Sequence, residues 1–238
     1  MQREYGRIWS QLGSRAIEEL IDLPLMSDPA SSATLDILTR LVGAVWHTDA
    51  NLACMAICLA VNLSLERGNS DGSCYHYVSL GYIAGPRFGD YAAGFRFGRL
   101  GCQLVEEREL KRFQARTYKD FGAHVIPWTK HVRTARDILR RALEIANQSG
   151  DLTFAGYSYA SLNSNLLAAG DPLMEVQRQA EIGLTFAQKV RFQFVIDLAS
   201  AQLGLVRTLR GLTRKFGSFT TTDLTNLRSN AGFPTIRI

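Results

Sequence analysis

The chain has 238 residues, 46% of them apolar, and carries a formal net charge of +5. It is long enough to bury a substantial core, and its rare prolines and lack of β-branched runs favour an all-α protein. The longest apolar run, residues 52–65, is shorter than the roughly 18–20 residues of a membrane span and contains Asn62 and Ser64. It therefore predicts a fully buried helix and no membrane partner. The absence of a basic-then-apolar leader predicts a cytoplasmic protein.

Two amphipathic helices are predicted in the first third of the chain. Apolar side chains at helical spacing favour one helix over residues 5–22, with Tyr5, Ile8 and Leu12 on one side. A second apolar stripe runs from Leu38 to Val45, two residues out of frame with the later repeat. Atypical terminal units are common in repeat arrays.

The rest of the chain repeats with a period of 41 residues. Tyr77, Tyr118 and Tyr159 are spaced by this step, and the residues at i+3, i+4 and i+7 from each repeat with them. Such stripes occupy one helix face, and a period of roughly 20–50 residues is typical of a solenoid. The stripes are Tyr77, Leu80, Gly81 and Ala84; Tyr118, Phe121, Gly122 and Val125; Tyr159, Leu162, Asn163 and Leu166; and a weaker copy, Ser200, Leu203, Gly204 and Arg207.

A second column of stripes lies between the first, and each begins with a small residue that lets two helix backbones approach closely. Its members are Ala60, Leu63 and Ser64; Gly101, Leu104 and Val105; Ala142, Ile145 and Ala146; and Gly183, Phe186 and Ala187. Each unit thus holds two helices. The sequence predicts a helical-repeat domain of stacked antiparallel hairpins over residues 1–213, followed by an irregular or disordered tail, residues 214–238.

Turn-forming residues separate the predicted helices. Residues 68–71 precede the first tyrosine helix, and Gly85-Pro86 is predicted to end it. Residues 149–151 mark another break. Further on, Asp171 is the predicted N-cap of a helix that begins with Pro172.

The four cysteines do not form a metal-binding pattern. Cys54 and Cys58 share a helix face, and His47 and His76 are conceivable partners. Zinc sites, however, generally pair closely spaced ligands twice, which this sequence does not do. Cys102 occupies an apolar packing column. Buried, reduced cysteines and no bound metal are therefore predicted.

The glycine-rich stretch from residue 81 to residue 101 has no Gly-Lys-Ser/Thr motif and no preceding strand, so tight helix contact explains it better than a phosphate loop. Four polar residues here can either line a groove or form ordinary exposed faces: Arg87, Asp90, Arg96 and Arg99. No kinase, nucleophile-elbow or zinc-protease signature is present, so no catalytic or cofactor-binding residue is predicted. The rival hypothesis is a ligand-binding or enzymatic domain with an inter-helix pocket near residues 87–99.

The excess positive charge comes mainly from arginines that are interleaved with carboxylates, as in residues 106–109. The aromatic residues fall in the core columns and do not alternate with basic residues as stacking platforms. This pattern argues against nucleic acid as a partner and favours a solvated charged face that is available to a protein.

Four segments resemble one protein family closely: residues 16–26, 61–70, 88–90 and 150–157. The family is the bacterial multi-sensor signal-transduction kinases, common in cyanobacteria. These join a serine/threonine kinase-like domain, an AAA-type ATPase, a tetratricopeptide-like helical region, sensor domains and a histidine kinase. The resemblance spans roughly residues 10–213 and falls within the helical region.

The resemblance implies a right-handed tetratricopeptide-like solenoid that binds a partner and relays a signal to adjacent ATPase and kinase modules. The ATP sites and the phospho-acceptor histidine of the family lie in modules that this sequence does not contain. No functional residue is therefore carried over, and the chain is expected to be a regulatory interaction scaffold without enzymatic activity.

Overall fold

A computed structural model describes residues 1–46 and 48–213, and this part of the chain is helical and contains no β-sheet. One isolated parallel bridge joins Leu25 to Asn69. The predicted all-α class is confirmed. The predicted tail, residues 214–238, and the candidate ligand His47 lie outside the described residues.

Ten α-helices account for most of the described residues: α1 (Gln2–Leu12), α2 (Pro29–Val45), α3 (Ala50–Arg67), α4 (Asp71–Phe88), α5 (Tyr91–Glu107), α6 (Gln114–Asp120), α7 (Arg136–Ser149), α8 (Leu152–Ala168), α9 (Leu173–Lys189) and α10 (Gln193–Leu209). Shorter segments are 3₁₀-helices at Ile17–Asp22, Ile126–Trp128 and Val132–Ala135, and a π-helical turn at Phe121–Val125.

The chain divides into two compact units, Met1–Ile145 and Ala146–Ile238, with the division inside α7. In the first unit, α4 packs against α2, α3, α5 and α6, and α1 packs on α3. In the second unit, α8, α9 and α10 pack against one another. The tyrosine stripes lie on α4, on α6 with the π-turn, on α8 and on α10. The small-residue stripes lie on α3, α5, α7 and α9.

Backbone contact between α4 and α5 explains the glycine-rich stretch. A Cβ atom on Gly81 would lie 2.5 Å from the carbonyl oxygen of Gly94, and one on Gly101 would lie 2.4 Å from that of Cys74. Only glycine permits such an approach, because a backbone oxygen cannot rotate away as a side chain can. The prediction of tight helix contact is confirmed here.

Three predicted helix boundaries are wrong. The predicted helix over residues 5–22 is two segments, because Gly13 (φ +62°) ends α1 in the left-handed region and a 3₁₀-helix follows. Helix α4 continues through Pro86 to Phe88 and is capped by Gly89 (φ +75°), the position where glycine commonly terminates a helix. At α9 the N-cap is Pro172 rather than Asp171.

Asn69, in the turn between α3 and α4, joins several parts of the first unit. It is 1% exposed, and its side-chain oxygen accepts a hydrogen bond from the Tyr77 hydroxyl at 3.1 Å. Its side-chain nitrogen donates to the carbonyl oxygen of Leu20 at 2.8 Å. Its backbone N–H donates to the Pro24 carbonyl oxygen, and its carbonyl oxygen accepts from the Met26 N–H. The 3₁₀-helix that contains Leu20 is thus held against the turn that begins α4.

Among the described residues, α3 is the one helix long and apolar enough to cross a membrane, and 56% of that stretch is buried inside the molecule. Ser64, which interrupts its apolar run, is fully buried and shares a hydrogen bond with Ser73 of α4 at 2.8 Å. The predicted helix is therefore present at this position, but it is not fully buried, since Leu52, Met55 and Leu59 are between 37% and 42% exposed.

The α4–α5 contact gives a stability prediction. We expect Gly101→Ala to lower the free energy of unfolding by about 2 kcal/mol or more, because the new methyl group meets the Cys74 carbonyl oxygen. Gly6→Ala in α1 is the matched control, since nothing lies within 4 Å of the added atom. There alanine should stabilise the protein by up to about 1 kcal/mol. Urea denaturation of both variants checks this, and an equal effect would contradict the close contact.

His76 on α4 is a fully buried histidine that is held neutral. Its Nε2 atom lies 3.0 Å from the Thr39 hydroxyl, which itself donates to the Leu35 carbonyl oxygen. The hydroxyl can therefore only accept, so Nε2 carries the proton. The Nδ1 atom is buried without a hydrogen-bond partner. Burial lowers the pKa of His76 to about 3.

This histidine predicts a pH dependence of stability. Its folded pKa lies below the unfolded value of about 6.5, so between these values the unfolded chain binds a proton that the folded chain does not. Stability should therefore fall as the pH drops below about 6.5. We expect His76→Leu to reduce the loss between pH 6 and pH 5 by about 1.2 kcal/mol. Urea denaturation across this pH range measures it, and an unchanged slope in the variant would be the contrary result.

Candidate functional site

Two of the four polar residues that can either line a groove or form ordinary exposed faces have structural partners. Asp90 caps α5 by accepting from the backbone N–H of Ala93 at 3.0 Å. Arg96 donates two hydrogen bonds to the Glu18 carboxylate, at 2.8 and 2.5 Å, and they lower the pKa of Glu18 to about 2. Arg87 and Arg99 are exposed. The interpretation of these residues as ordinary exposed faces is the better one.

Aromatic side chains from the same stretch do form a distinctive surface, and Gly85 makes room for it. A Cβ atom on Gly85 would lie 2.2 Å from the ring of Tyr91, so this ring rests directly on the backbone of α4. Tyr91 is the first residue of α5, just past the capping Asp90. The short connection and the missing side chain at Gly85 together fix where the ring lies.

Trp128 packs against this supported ring. The two ring centroids are 5.6 Å apart at an interplanar angle of 39°. Trp128 nevertheless remains 59% exposed, and Tyr91 is 39% exposed. The turn that carries Trp128 is closed by backbone hydrogen bonds from Thr129 and Lys130 to the carbonyl oxygen of Ile126, at 3.0 and 2.9 Å. A large apolar side chain is thus held by its neighbours and still faces solvent.

A cation lies beside a third aromatic ring, that of Phe95. The ammonium group of Lys130 lies 5.5 Å from the ring centroid of Phe95, within the range of a cation–π interaction. Phe95 follows Tyr91 by four residues on α5 and so shares its helix face. The ring centroid of Phe95 also lies 5.6 Å from that of the buried Phe121 ring. We call Tyr91, Phe95, Trp128 and Lys130 the Trp128 patch.

The π-helical turn that precedes Trp128 is anchored by a polar cluster. Lys119 and Asp120 form an ion pair with a 2.5 Å contact, and their side chains are only 9% and 12% exposed. Lys119 also contacts the Nε2 atom of His124 at 3.3 Å. Residues five apart come together in a π-helix, where the backbone hydrogen bond runs from i to i+5. The Ile126 N–H makes such a bond to Phe121.

The protonation states in this cluster follow from its contacts. Lys119 can only donate, so the Nε2 atom of His124 accepts and its proton lies on Nδ1. Burial and the Lys119 charge lower the pKa of His124 to about 4, which leaves the ring neutral at neutral pH. The ring stacks on Tyr82 at 4.6 Å. Burial and the Asp120 charge raise the pKa of Tyr82, so its phenol stays protonated. The cluster fixes the π-turn in place.

The four cysteines are free and buried, as predicted. Burial raises the pKa of each thiol, and that of Cys58 reaches about 12. The thiolate is the nucleophilic form of cysteine, and a raised pKa keeps these thiols protonated at neutral pH. Across residues 1–46 and 48–213, no three His, Cys, Asp or Glu side chains form a cluster suited to a metal ion.

Comparisons with family models, with curated proteins and with solved structures find no match for this chain. The resemblance to the helical region of multi-sensor kinases therefore stays a prediction.

The Trp128 patch is not predicted by the sequence pattern, because the repeat places aromatic residues in the core columns. One signal was available. Trp128 falls three residues after the Val125 that ends a predicted stripe and directly follows Pro127, so it lies outside both columns. An aromatic residue outside the repeat frame is a candidate for the surface.

The buried ion pair gives a prediction about the stability of an Asp120 variant. We expect Asp120→Asn to lower the free energy of unfolding by about 3 kcal/mol, because it removes the buried carboxylate that pairs with the Lys119 ammonium group. The control is Glu109→Gln, which breaks the exposed pair with Lys111 and should cost less than about 0.5 kcal/mol. Thermal and urea denaturation compare the two, and similar costs would show that the buried pair is not needed.

Proposed function

We propose that this chain is a helical-repeat interaction module without catalytic activity, which binds a protein partner in the cytoplasm. Its architecture would be a tetratricopeptide-like, right-handed solenoid of antiparallel helix hairpins with a repeat of about 41 residues. The position of the two stripe columns on alternate helices supports this repeat. Stacks of this kind offer extended surfaces to partners.

The proposed setting is a signal-transduction kinase system, in which the module relays partner binding to adjacent ATPase and kinase modules. The support for this setting is the resemblance of residues 16–26, 61–70, 88–90 and 150–157 to the helical region of multi-sensor kinases. The raised thiol pKa values, the capping role of Asp90 and the pairing of Arg96 with Glu18 favour a scaffold over an enzymatic pocket near residues 87–99.

The observation that carries the proposal is the supported, solvent-facing indole of Trp128. Tryptophan and tyrosine are the side chains that most often dominate binding energy at protein interfaces, because a rigid ring loses little entropy when it is covered. Lys130 lies beside the Phe95 ring of the same patch. The matching partner is a protein segment that presents an apolar side chain to the indole and a carboxylate to the ammonium group.

Affinity capture tests this function. The full chain is immobilised, exposed to a bacterial lysate, and compared with Trp128→Ala and with Ile37→Ala as a matched control. Ile37 belongs to the same unit and is 64% exposed, close to the 59% of Trp128. We expect a bound protein whose affinity falls about 30-fold or more in Trp128→Ala, the loss typical of an interface hot spot, and stays unchanged in Ile37→Ala.

A second variant tests whether binding depends on the position of the indole. Gly85→Ala keeps the indole but displaces the Tyr91 ring beneath it, so capture should weaken here too. Circular dichroism verifies that each variant keeps its helix content. Equal capture by the original chain and Trp128→Ala would refute this binding surface. Affinity that instead falls steeply with salt and requires nucleic acid would indicate a different class of partner.

A further inference from the structure

The Trp128 patch carries more hydrogen-bond donors than acceptors. The indole N–H of Trp128 and the ammonium group of Lys130 can only donate, and the Tyr91 hydroxyl can donate or accept. Within residues 1–46 and 48–213, the side chains of Trp128 and Tyr91 make ring contacts but no hydrogen bond, and Lys130 forms no ion pair. All three polar groups therefore remain to bind a partner.

The carboxylates that flank the patch in the sequence are already engaged. Asp90, which precedes Tyr91, caps α5 by accepting from a backbone N–H at 3.0 Å. Asp120, in the segment before Trp128, forms the buried ion pair with Lys119. An ordinary extended peptide brings one N–H group per residue, for which the patch offers only the Tyr91 hydroxyl as an acceptor. The matching ligand presents apolar surface and carbonyl oxygens but few N–H groups.

Other modes of peptide recognition do not fit this surface. Addition of a strand requires an open sheet edge, and residues 1–46 and 48–213 contain no sheet. Docking of a helix requires an apolar groove, whereas the Trp128 side chain is itself exposed. Recognition of a phosphorylated segment uses clusters of arginine, and Lys130 is the one cation of the patch. Proline-rich segments, by contrast, dock on closely spaced aromatic rings.

We propose that the partner segment is proline-rich, adopts the polyproline II conformation and carries a carboxylate beside its prolines. This rests on the proposed binding of a protein at the Trp128 patch. Proline has a carbonyl oxygen but no N–H, so it matches the excess of donors. A polyproline II helix has no internal hydrogen bonds, which leaves its carbonyl oxygens free to accept from Trp128 and Tyr91.

The apolar and charged parts of such a segment also have counterparts on the patch. The ring centroids of Trp128 and Tyr91 are 5.6 Å apart, so two adjacent aromatic faces are available to successive proline rings. The carboxylate pairs with the Lys130 ammonium group, which lies beside Phe95. Both the patch and a polyproline II helix are ordered before they meet, and binding therefore costs little conformational entropy.

Fluorescence anisotropy with labelled synthetic peptides and the full chain tests the proposal. The probe is a peptide of about eight prolines followed by a pair of glutamates, a length that spans several turns of the polyproline II helix. The control peptide has alanines in place of the prolines and so keeps the length and the charge. We expect the proline peptide to bind about 10-fold or more tightly than the alanine peptide, because only the first is preordered and free of N–H groups.

Three variants and a third peptide separate the contacts. Trp128→Ala should weaken binding of the proline peptide about 30-fold or more, the loss typical of an interface hot spot. Tyr91→Phe, which keeps the ring and removes only the hydroxyl group, should weaken it about 5-fold. Ile37→Ala, at a comparably exposed position outside the patch, should leave it unchanged. A peptide with lysines in place of the glutamates should bind about 3-fold or more weakly. Circular dichroism verifies that each variant keeps its helix content.

The outcomes distinguish this proposal from the more general one. Equal affinities for the proline and alanine peptides would overturn it, and so would binding that Trp128→Ala leaves unchanged. If a protein is captured from lysate through Trp128 while neither peptide binds, the proline-rich partner is refuted and binding of a protein at the patch still stands. If neither a protein nor a peptide binds through Trp128, both proposals are refuted.

Discussion

The direct contact between the backbones of α4 and α5 is the constraint on which the first unit depends. At Gly81, Gly94 and Gly101 no side chain separates the two helices, and a single methyl group would collide with a carbonyl oxygen. Close approach brings the start of α5 against the end of α4, so that the Tyr91 ring lies on Gly85. The exposed indole of Trp128 is in turn supported by that ring. The close packing of α4 and α5 in the core thus determines where the exposed Trp128 indole lies.

Buried polar groups fix the register in which the helices pack. Apolar helices can slide along one another at little cost, whereas hydrogen bonds in the core are satisfied at one position only. Asn69 connects Tyr77 of α4 to Leu20, and the Lys119–Asp120 pair fixes the π-turn before Trp128. Both sets of contacts are costly to break because their members are almost fully buried. They hold the helices in the arrangement that the glycines permit.

Periodicity in the sequence was enough to predict the helices after residue 60, because a buried stripe must recur every three to four residues. It could not predict where helices end. Gly85-Pro86 resembles a stop, yet α4 continues through Pro86 to Phe88. The π-turn at Phe121–Val125 was also beyond reach, since it depends on the ion pair and on packing between distant segments. The same columns that revealed the repeat assigned aromatic residues to the core and so concealed the Trp128 patch.

The most direct test of this account is the mobility of the Trp128 indole in solution. Nuclear magnetic relaxation of the indole N–H groups distinguishes the three tryptophans, and Trp128→Phe identifies the resonance. If the Tyr91 ring and the glycine-spaced helices hold the indole, its order parameter should be about 0.85, like that of rigid backbone. A value below about 0.6 would mean that the ring moves freely and would contradict a surface preformed by the α4–α5 contact.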